Sequence, residues 1–392
     1  MATKQPLGNV LVIGGCGFLG HHIVHQLLKY DAHISVLDLT TTRNRHEGAH
    51  YHRADITSAA AVREVFQLVQ PNVIIHTAAL PPQVDNKELL RKVNLEGTRN
   101  LVECAETLPG VKAFVYTSSA SVVHDTVSDL VNADERWPCV RGKAQREYYS
   151  ESKVRLFPFT FRPPPLVPSM SDLTSCDAQA DAEALVLAAN RSPRNGMLTA
   201  SLRPAGIYGE GDALMIPGML RAYADRQTRF QLGDNTNLFD FTYVGNVAHA
   251  HLLALLALLS THTLATLPLD TERVDGEAFF VTNDAPVYFW DFPRLVWKCA
   301  GDATEPKDVW VIRKEWGLAV ASVLEWVFWV VGRRPSLTRK QVRYSCMTRY
   351  YSVEKARRRL GYEPVVGLEE GVRRAVRWFL REKEAIREKK GQ

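Results

Sequence analysis

The chain lacks any cysteine pair at metal or redox spacing. Its six cysteines, Cys16, Cys104, Cys139, Cys176, Cys299 and Cys346, stand far apart with no CxxC and no clustered histidine partners. That scatter argues against a zinc ribbon or a disulfide framework and points to a reducing compartment. No apolar signal core stands at the start, because MATKQPLGNV passes straight into a strand-like run, and a cytosolic setting is expected. Internal repeats and nucleic-acid motifs are also missing, so no nucleic-acid partner is expected. A net charge of +5 over 392 residues is small, and its basic residues crowd the C-terminal quarter, which fits an anionic surface or substrate. No stretch reaches the roughly 20 apolar residues of a membrane span. What is present is 46% hydrophobic residues, enough for a large core divided into two lobes.

The chain is organised around NVLVIGGCGFLGHHIVHQLL, Asn9 to Leu28, a short apolar run followed by a glycine cluster and a helical pattern. Gly14, Gly17 and Gly20 are spaced so that the first can take a tight turn, the second can admit a pyrophosphate, and the third can let helix pack on strand. The free N–H groups at the helix start suit phosphate. A second apolar strand, Ile34 to Leu37, ends in Asp38, 21 residues after Gly17, where an acid can bind the adenosine ribose. Asp38 favours NAD by repelling a 2′-phosphate, while Arg43 and Arg45 just beyond leave NADP possible.

Further along, Thr57 or Ser58 can cap a helix with Val62, Val65, Phe66 and Val69 on one face, and strand Val73 to Ile75 exits through His76-Thr77-Ala78-Ala79. A long helical pattern from Lys87 to Glu106 leads to strand Ala113 to Tyr116. Leu198 to Leu202, Phe239 to Val244 and Ala278 to Thr282 are further strand candidates. Between them, the Leu/Ala-rich helix Val247 to Leu259 reads as buried, since Asn246, His249, His251 and Ser260 interrupt or bound it. Alternating strands and helices predict an α/β fold with a doubly wound parallel sheet and a smaller, partly interleaved C-terminal substrate lobe. The expected boundaries are a nucleotide-binding domain over 7–203, lobe segments 204–237 and 284–385, and a return to the first domain over 238–283.

Strand Ala113 to Tyr116 runs into Thr117-Ser118-Ser119-Ala120, and Tyr149-Ser150-Glu151-Ser152-Lys153 follows, with Tyr149 and Lys153 at i and i+4 of one helix face. A phenol titrates near pH 10, so acting as a base near neutrality requires a bias of roughly 4 kcal/mol toward phenolate. A lysine ammonium one turn away and a positive nicotinamide ring would supply it. Ser119 can hydrogen-bond the reacting oxygen. Alone such a pair is a common solvated helix face; behind a dinucleotide fold and a serine-ended strand it reads as catalytic.

With GGCGFLG, HTAAL, KVNLEGTRNLVECA, FVYTSSASVV, YSESK and SLRPAGIYG in order, the chain resembles the extended short-chain dehydrogenase/reductase family and, within it, the 3β-hydroxysteroid dehydrogenase branch. The resemblance implies Ser119, Tyr149 and Lys153 as the catalytic set. It implies cofactor contacts from Gly14, Gly17, Phe18, Leu19, Gly20, Asp38, Asp55, Ile56, Ala78, Asn94, Ser118, Tyr149, Lys153 and Pro204. It further implies oxidation of the 3β-hydroxyl of a 4α-carboxysterol with loss of the carboxylate, beside a sterol C-4 methyl oxidase and a 3-ketosteroid reductase. A sugar-nucleotide epimerase or reductase of the same fold is the alternative. A basic group near the substrate carboxylate is expected, but the sequence singles none out.

Two segments stand apart. Trp316 to Val331, with Glu325 inside it and Arg313, Lys314, Arg333 and Arg334 flanking it, reads either as a core helix or as an interfacial helix. The resemblance favours the latter, with peripheral association at the cytosolic face of the endoplasmic reticulum membrane, and Lys389-Lys390-Gly391-Gln392 looks like a dilysine retrieval signal. Between Lys153 and the pattern ADAEALVLAAN lies a proline-rich stretch with Pro158, Pro163, Pro164, Pro165 and Pro168. Val154 to Gln179 is therefore expected to be a structureless insertion, either translated intron sequence or a substrate lid. The former would leave a cofactor-binding protein with little turnover.

Overall fold

The computed structural model describes residues 6–80, 84, 86–125, 128–140, 171–331 and 337–390. Seven parallel strands form the central sheet, in the order Glu277–Val281, Leu198–Pro204, Ala113–Thr117, Val73–His76, Gly8–Ile13, Ala32–Asp38 and Ala49–Arg53. The inner strands are apolar and almost wholly buried because helices cover both faces. Strand order reverses between Gly8–Ile13 and Val73–His76, whose register pairs Ile13 with His76. Such a reversal opens a crevice at the carboxyl ends of the strands, where the glycine turn and the Thr77-Ala78 exit both lie.

The edge strand Ala49–Arg53, reading AHYHR, has no fully buried residue, so it carries no apolar run by which the sequence could announce it. The long pattern from Lys87 is not one helix. Lys87–Arg91 passes through a π-helical turn, Lys92–Gly97, into Thr98–Thr107. A side chain at Gly97 would lie 2.7 Å from Ile56, so the turn is packed closely onto the nucleotide side of the sheet. A helix also occupies Ser171–Ala188, which corrects the expectation for Val154 to Gln179: residues 171–179 are helical. Ser171–Ala188 itself contains no proline and is rich in Ala, Leu and Asp, whereas the proline-rich part lies outside the described residues.

The second lobe grows from a four-stranded sheet ordered Val287–Tyr288, Leu238–Phe239, Arg349–Tyr351 and Leu130–Ala133. One of its strands thus comes from the nucleotide-binding half, just after Ser119. Helix Val244–His262 packs on helix Phe18–Leu27 and on strand Ala113–Thr117, with Val247, Ala248, Ala254, Leu255 and Leu258 fully buried, as its Leu/Ala content predicts. Helix Lys314–Val331 behaves differently. Gly317 and Ala321 face the protein, while Trp316, Val320, Val323, Trp326, Val327 and Trp329 are exposed. It is not a core helix.

Candidate functional site

At the first strand end, Gly14 has φ +81°, and a Cβ there would lie 2.7 Å from the Ala78 backbone nitrogen. At Gly20 a Cβ would fall 2.2 Å from the Gly14 carbonyl oxygen, so helix Phe18–Leu27 can approach the turn only without a side chain. Gly17 differs, because a Cβ there would meet nothing but that same carbonyl, at 3.1 Å. Its bare face is open toward the helix N-terminus, which suits the backbone approach of a pyrophosphate beside Phe18 and Leu19. Asp38 is fixed rather than swinging, its two carboxylate oxygens accepting the Cys16 N–H at 3.0 Å and the Thr40 N–H at 3.1 Å. Burial and the Asp38 charge push the Cys16 thiol up to about 11, so it stays neutral beside this turn.

Asp55 and Ile56, expected among the cofactor contacts, follow the edge strand Ala49–Arg53. Asp55 is exposed and accepts the Thr57 N–H, while the Ile56 carbonyl accepts from Asn100 Nδ2 at 2.9 Å. Asn94, buried in the π-helical turn, accepts the Leu80 N–H at 2.8 Å, and its own amide nitrogen has no partner among the described residues. An unsatisfied buried donor on a π-turn beside the crevice is the kind of group a cofactor completes. The cradle therefore fits a dinucleotide.

Ser119 caps the 3₁₀ turn Ala120–Val123, its Oγ accepting the Ser121 N–H at 3.1 Å. With a lone pair committed to backbone, its proton is available to a reacting oxygen. Tyr149 and Lys153, the other expected catalytic residues, lie outside the described residues. Pro204 is buried in the strand next to Ala113–Thr117, at the carboxyl end of the sheet. Ser118 is buried, and its Oγ has no hydrogen-bond partner among the described residues.

Three groups were not singled out by the sequence. Glu183, on helix Ser171–Ala188, accepts a bidentate pair from Arg203 Nε at 3.0 Å and Nη2 at 2.5 Å, together with the Ser201 hydroxyl at 2.9 Å. Burial alone would push its carboxyl up, but Arg203 and Ser201 hold it below the usual range. This pair ties the helix that follows the Tyr149–Lys153 segment to the strand carrying Pro204. His251 accepts the Thr117 hydroxyl at 2.7 Å through Nε2 and donates through Nδ1 to the Val247 carbonyl at 2.8 Å; burial lowers it to about 4. The third is Arg349, whose Nη2 donates to Ser121 Oγ at 2.8 Å. Signals existed for the first of them, since Glu183 closes the ADAE pattern and its partner Arg203 immediately precedes Pro204.

A glycine cradle at the switch point of a doubly wound sheet, with a serine-ended neighbouring strand, defines an oxidoreductase of the extended short-chain class. The chain belongs to the 3-beta hydroxysteroid dehydrogenase/isomerase family, whose profile matches residues 11–155 and 169–312. It is 36% identical over 385 residues to the decarboxylating sterol-4-alpha-carboxylate 3-dehydrogenase of Saccharomyces cerevisiae, covering 96% of this chain and 99% of that one. The enzyme of that name from Schizosaccharomyces pombe is 37% identical, with 97% and 99% covered, and the human one is 31% identical, with 94% and 87% covered. Among solved structures, a Thermus thermophilus UDP-glucose 4-epimerase in complex with NAD superposes with a TM-score of 0.63 at 25% identity, covering 95% of this chain and 98% of that one.

Proposed function

We propose that this chain oxidises the 3β-hydroxyl of a 4α-carboxysterol to the 3-ketone with loss of the C4 carboxylate, in sterol C-4 demethylation. The observation that carries this reading is the near full-length likeness to fungal and human enzymes of that name. NAD supplies the hydride acceptor. Asp38, locked by two backbone N–H groups, favours it over NADP. Ser119 hydrogen-bonds the substrate oxygen, Tyr149 takes its proton, and Lys153 favours the phenolate by charge attraction. Once C3 is a ketone, the bond from C4 to the carboxyl carbon breaks as carbon dioxide leaves. Its electron pair is delocalised onto the C3 oxygen as an enolate, and C4 then takes a proton. Sugar-nucleotide chemistry is the rival, and the fold is shared with it.

The setting we propose is the cytosolic face of the endoplasmic reticulum membrane, alongside a sterol C-4 methyl oxidase and a 3-ketosteroid reductase. What supports it is the outward face of helix Lys314–Val331, continued by exposed Trp310 and Val311 and, on the paired strand, Phe230. Exposed Arg313 and Lys314 stand at its start, where anionic headgroups would lie.

The family match breaks between residues 155 and 169, which favours a second reading for the chain as written: a foreign insertion, such as translated intron sequence, that leaves a cofactor-binding protein with low turnover. One assay tests both. NADH formation is followed with a 4α-carboxysterol and with UDP-sugars, for the full chain and for a chain lacking 156–168, with NAD and NADP compared. Sterol turnover with NAD is expected, and turnover of the sugar alone would overturn the first reading. Higher activity and melting temperature after deletion would support the second; lost activity would make the segment functional.

A further inference from the structure

The glycine turn and the acid of the cofactor cradle stand on different strands, and one residue of the loop beyond the acid joins them: we propose that Asn44 is a positioning residue for the dinucleotide, holding the turn and Asp38 as one unit. The inference rests on the NAD cradle and not on which alcohol the chain oxidises. Asn44 Nδ2 donates to the Cys16 carbonyl at 3.0 Å, while the Cys16 N–H donates to Asp38 Oδ2 at 3.0 Å. Cys16 is thus held at both of its backbone groups, from strand Ala32–Asp38 and from the loop that follows it. The peptide unit that carries this carbonyl also carries the Gly17 N–H, which donates to the Gly14 carbonyl at 3.0 Å. Because a peptide unit is planar, the two bonds together fix its direction.

Helix Phe18–Leu27 starts at that peptide. Gly17 is its N-cap and offers no capping side chain, so the direction of the N–H groups at Phe18 and Leu19 follows from how the Cys16–Gly17 backbone is held. Asn44 is anchored in its turn. Its carbonyl accepts the His21 Nδ1–H at 3.1 Å, and the next residues of the loop are tied down by His46, whose N–H donates to the Tyr51 hydroxyl at 2.7 Å and whose Nε2 donates to the His21 carbonyl at 3.1 Å. The imidazoles of His21 and His46 stack at 4.2 Å, and the Arg45 guanidinium lies 4.6 Å from the centre of the Tyr51 ring. The residue type matters as much as the place. Asn44 has φ +51°, in the left-handed region that glycine, asparagine and aspartate enter at least cost. Glycine would keep that backbone without a donor, and an ionised aspartate would bring acceptors only; asparagine supplies both the backbone and the N–H that the Cys16 carbonyl accepts.

The test separates positioning from folding. Dissociation constants are measured for NADH and for ADP-ribose, which carries the pyrophosphate and the adenosine ribose but no nicotinamide, on wild type, Asn44→Gly and Asn44→Asp. Melting temperatures are taken with and without NAD. Asn44→Gly is expected to weaken both ligands about tenfold, the effect of one well-placed hydrogen bond, and Asn44→Asp at least as much. Without cofactor the melting temperature should stay within about 2 °C of wild type, while the rise that NAD produces shrinks. In turnover, KM for NAD should rise and kcat at saturating NAD should not change. His21→Ala should weaken the same ligands, and combined with Asn44→Gly it should cost less than the two losses added, since both act through one link. Undiminished binding of ADP-ribose, or a melting temperature that falls equally with and without NAD, would overturn the assignment. If neither substitution at Asn44 folds, His21→Ala decides alone: weaker ADP-ribose binding supports the clamp, and unchanged binding rejects it. A chain that turns over UDP-sugars in place of a 4α-carboxysterol would remove the substrate reading and leave this result standing.

Discussion

Helix Val244–His262 and helix Lys314–Val331 have 19 and 18 residues and similar apolar content, yet they sit in opposite ways. In the first, Leu252, Leu255, Leu258 and Leu259 point inward, and even the polar residues are core fittings. Asn246 donates to Asn283 and to the Val366 carbonyl and accepts the Val366 N–H, while His251 bridges Thr117 and Val247. In the second, the buried positions are the small Gly317 and Ala321, Leu318, Leu324 and Phe328 are half-buried, and the tryptophans and valines face away. A Cβ at Gly317 would lie 3.1 Å from Val342, so the helix is seated by smallness, and Trp316 and Trp329 remain 69% and 79% exposed. Total hydrophobicity is thus a poor guide to burial; what decides is which face carries volume. A helix that hides glycine and alanine while displaying tryptophans presents an apolar surface to the outside, which is the surface the membrane proposal requires.

The strongest way to break that contrast is to place one charge in each helix. Leu255→Asp puts an unpaired carboxylate into the main core and is expected to cost about 5 kcal/mol or more, enough to abolish folded protein. Val323→Asp should leave the melting temperature within about a degree, since surface changes typically stay within ~0.5 kcal/mol. It should nevertheless weaken sedimentation with anionic vesicles. If Val323→Asp melts the protein as severely as Leu255→Asp, the outward face is core after all; if vesicle binding survives it, the membrane proposal loses its surface.

A smaller effect sharpens the contrast through pH. His251 on the buried helix has its imidazole lowered to about 4, so the neutral form is the one the fold accepts. Its contribution is complete above the unfolded value near 6.5 and is lost as pH falls from there toward 4, about 3 kcal/mol in all. His76, lowered by burial to about 3, and His124 add to the same acid slope. Denaturation curves at pH 7 and pH 5 should therefore differ less for His251→Gln than for wild type. Helix Lys314–Val331 contains no histidine, and its vesicle binding should not follow that slope. An unchanged slope in His251→Gln would mean that the imidazole is not buried neutral.

How much of this could be read beforehand follows distance along the chain. The glycine turn, Asp38 and the inner strands announce themselves because spacing and period are local properties, and all occur where the sequence placed them. The π-turn at Lys92–Gly97 does not, since it depends on Ile56 lying against Gly97. Glu183–Arg203, Thr117–His251 and Ser121–Arg349 pair across 20, 134 and 228 residues, so neither periodicity nor spacing could have joined them. Family order made Ser119 legible. The arginine behind it became visible only when a strand from the far end of the chain was seen lying beside the strand that follows it.

The mildest test concerns the one acid inside the outward helix. Glu325 would be a poor neighbour for lipid, but it points at the protein: Oε2 accepts from Arg339 Nε at 2.7 Å and Oε1 from the Arg339 N–H at 2.8 Å. That N–H belongs to the first turn of helix Arg339–Ser345, whose capping box joins Thr338 and Gln341, so a carboxylate there also meets the positive end of the helix dipole. Both partners are only partly shielded, at 21% and 28% exposure, and such a pair contributes about 1 kcal/mol or less. Glu325→Gln keeps an acceptor for the N–H and loses only the charge. Its melting temperature should fall by about 1–3 °C, less in high salt, and a Glu325→Gln, Arg339→Gln double-mutant cycle should recover the coupling. Vesicle binding should be unchanged, because the apolar face does not include this residue. If neutralising Glu325 instead strengthens vesicle binding severalfold, the acid faces the bilayer and the helix is rotated from the orientation in which its tryptophans alone make contact.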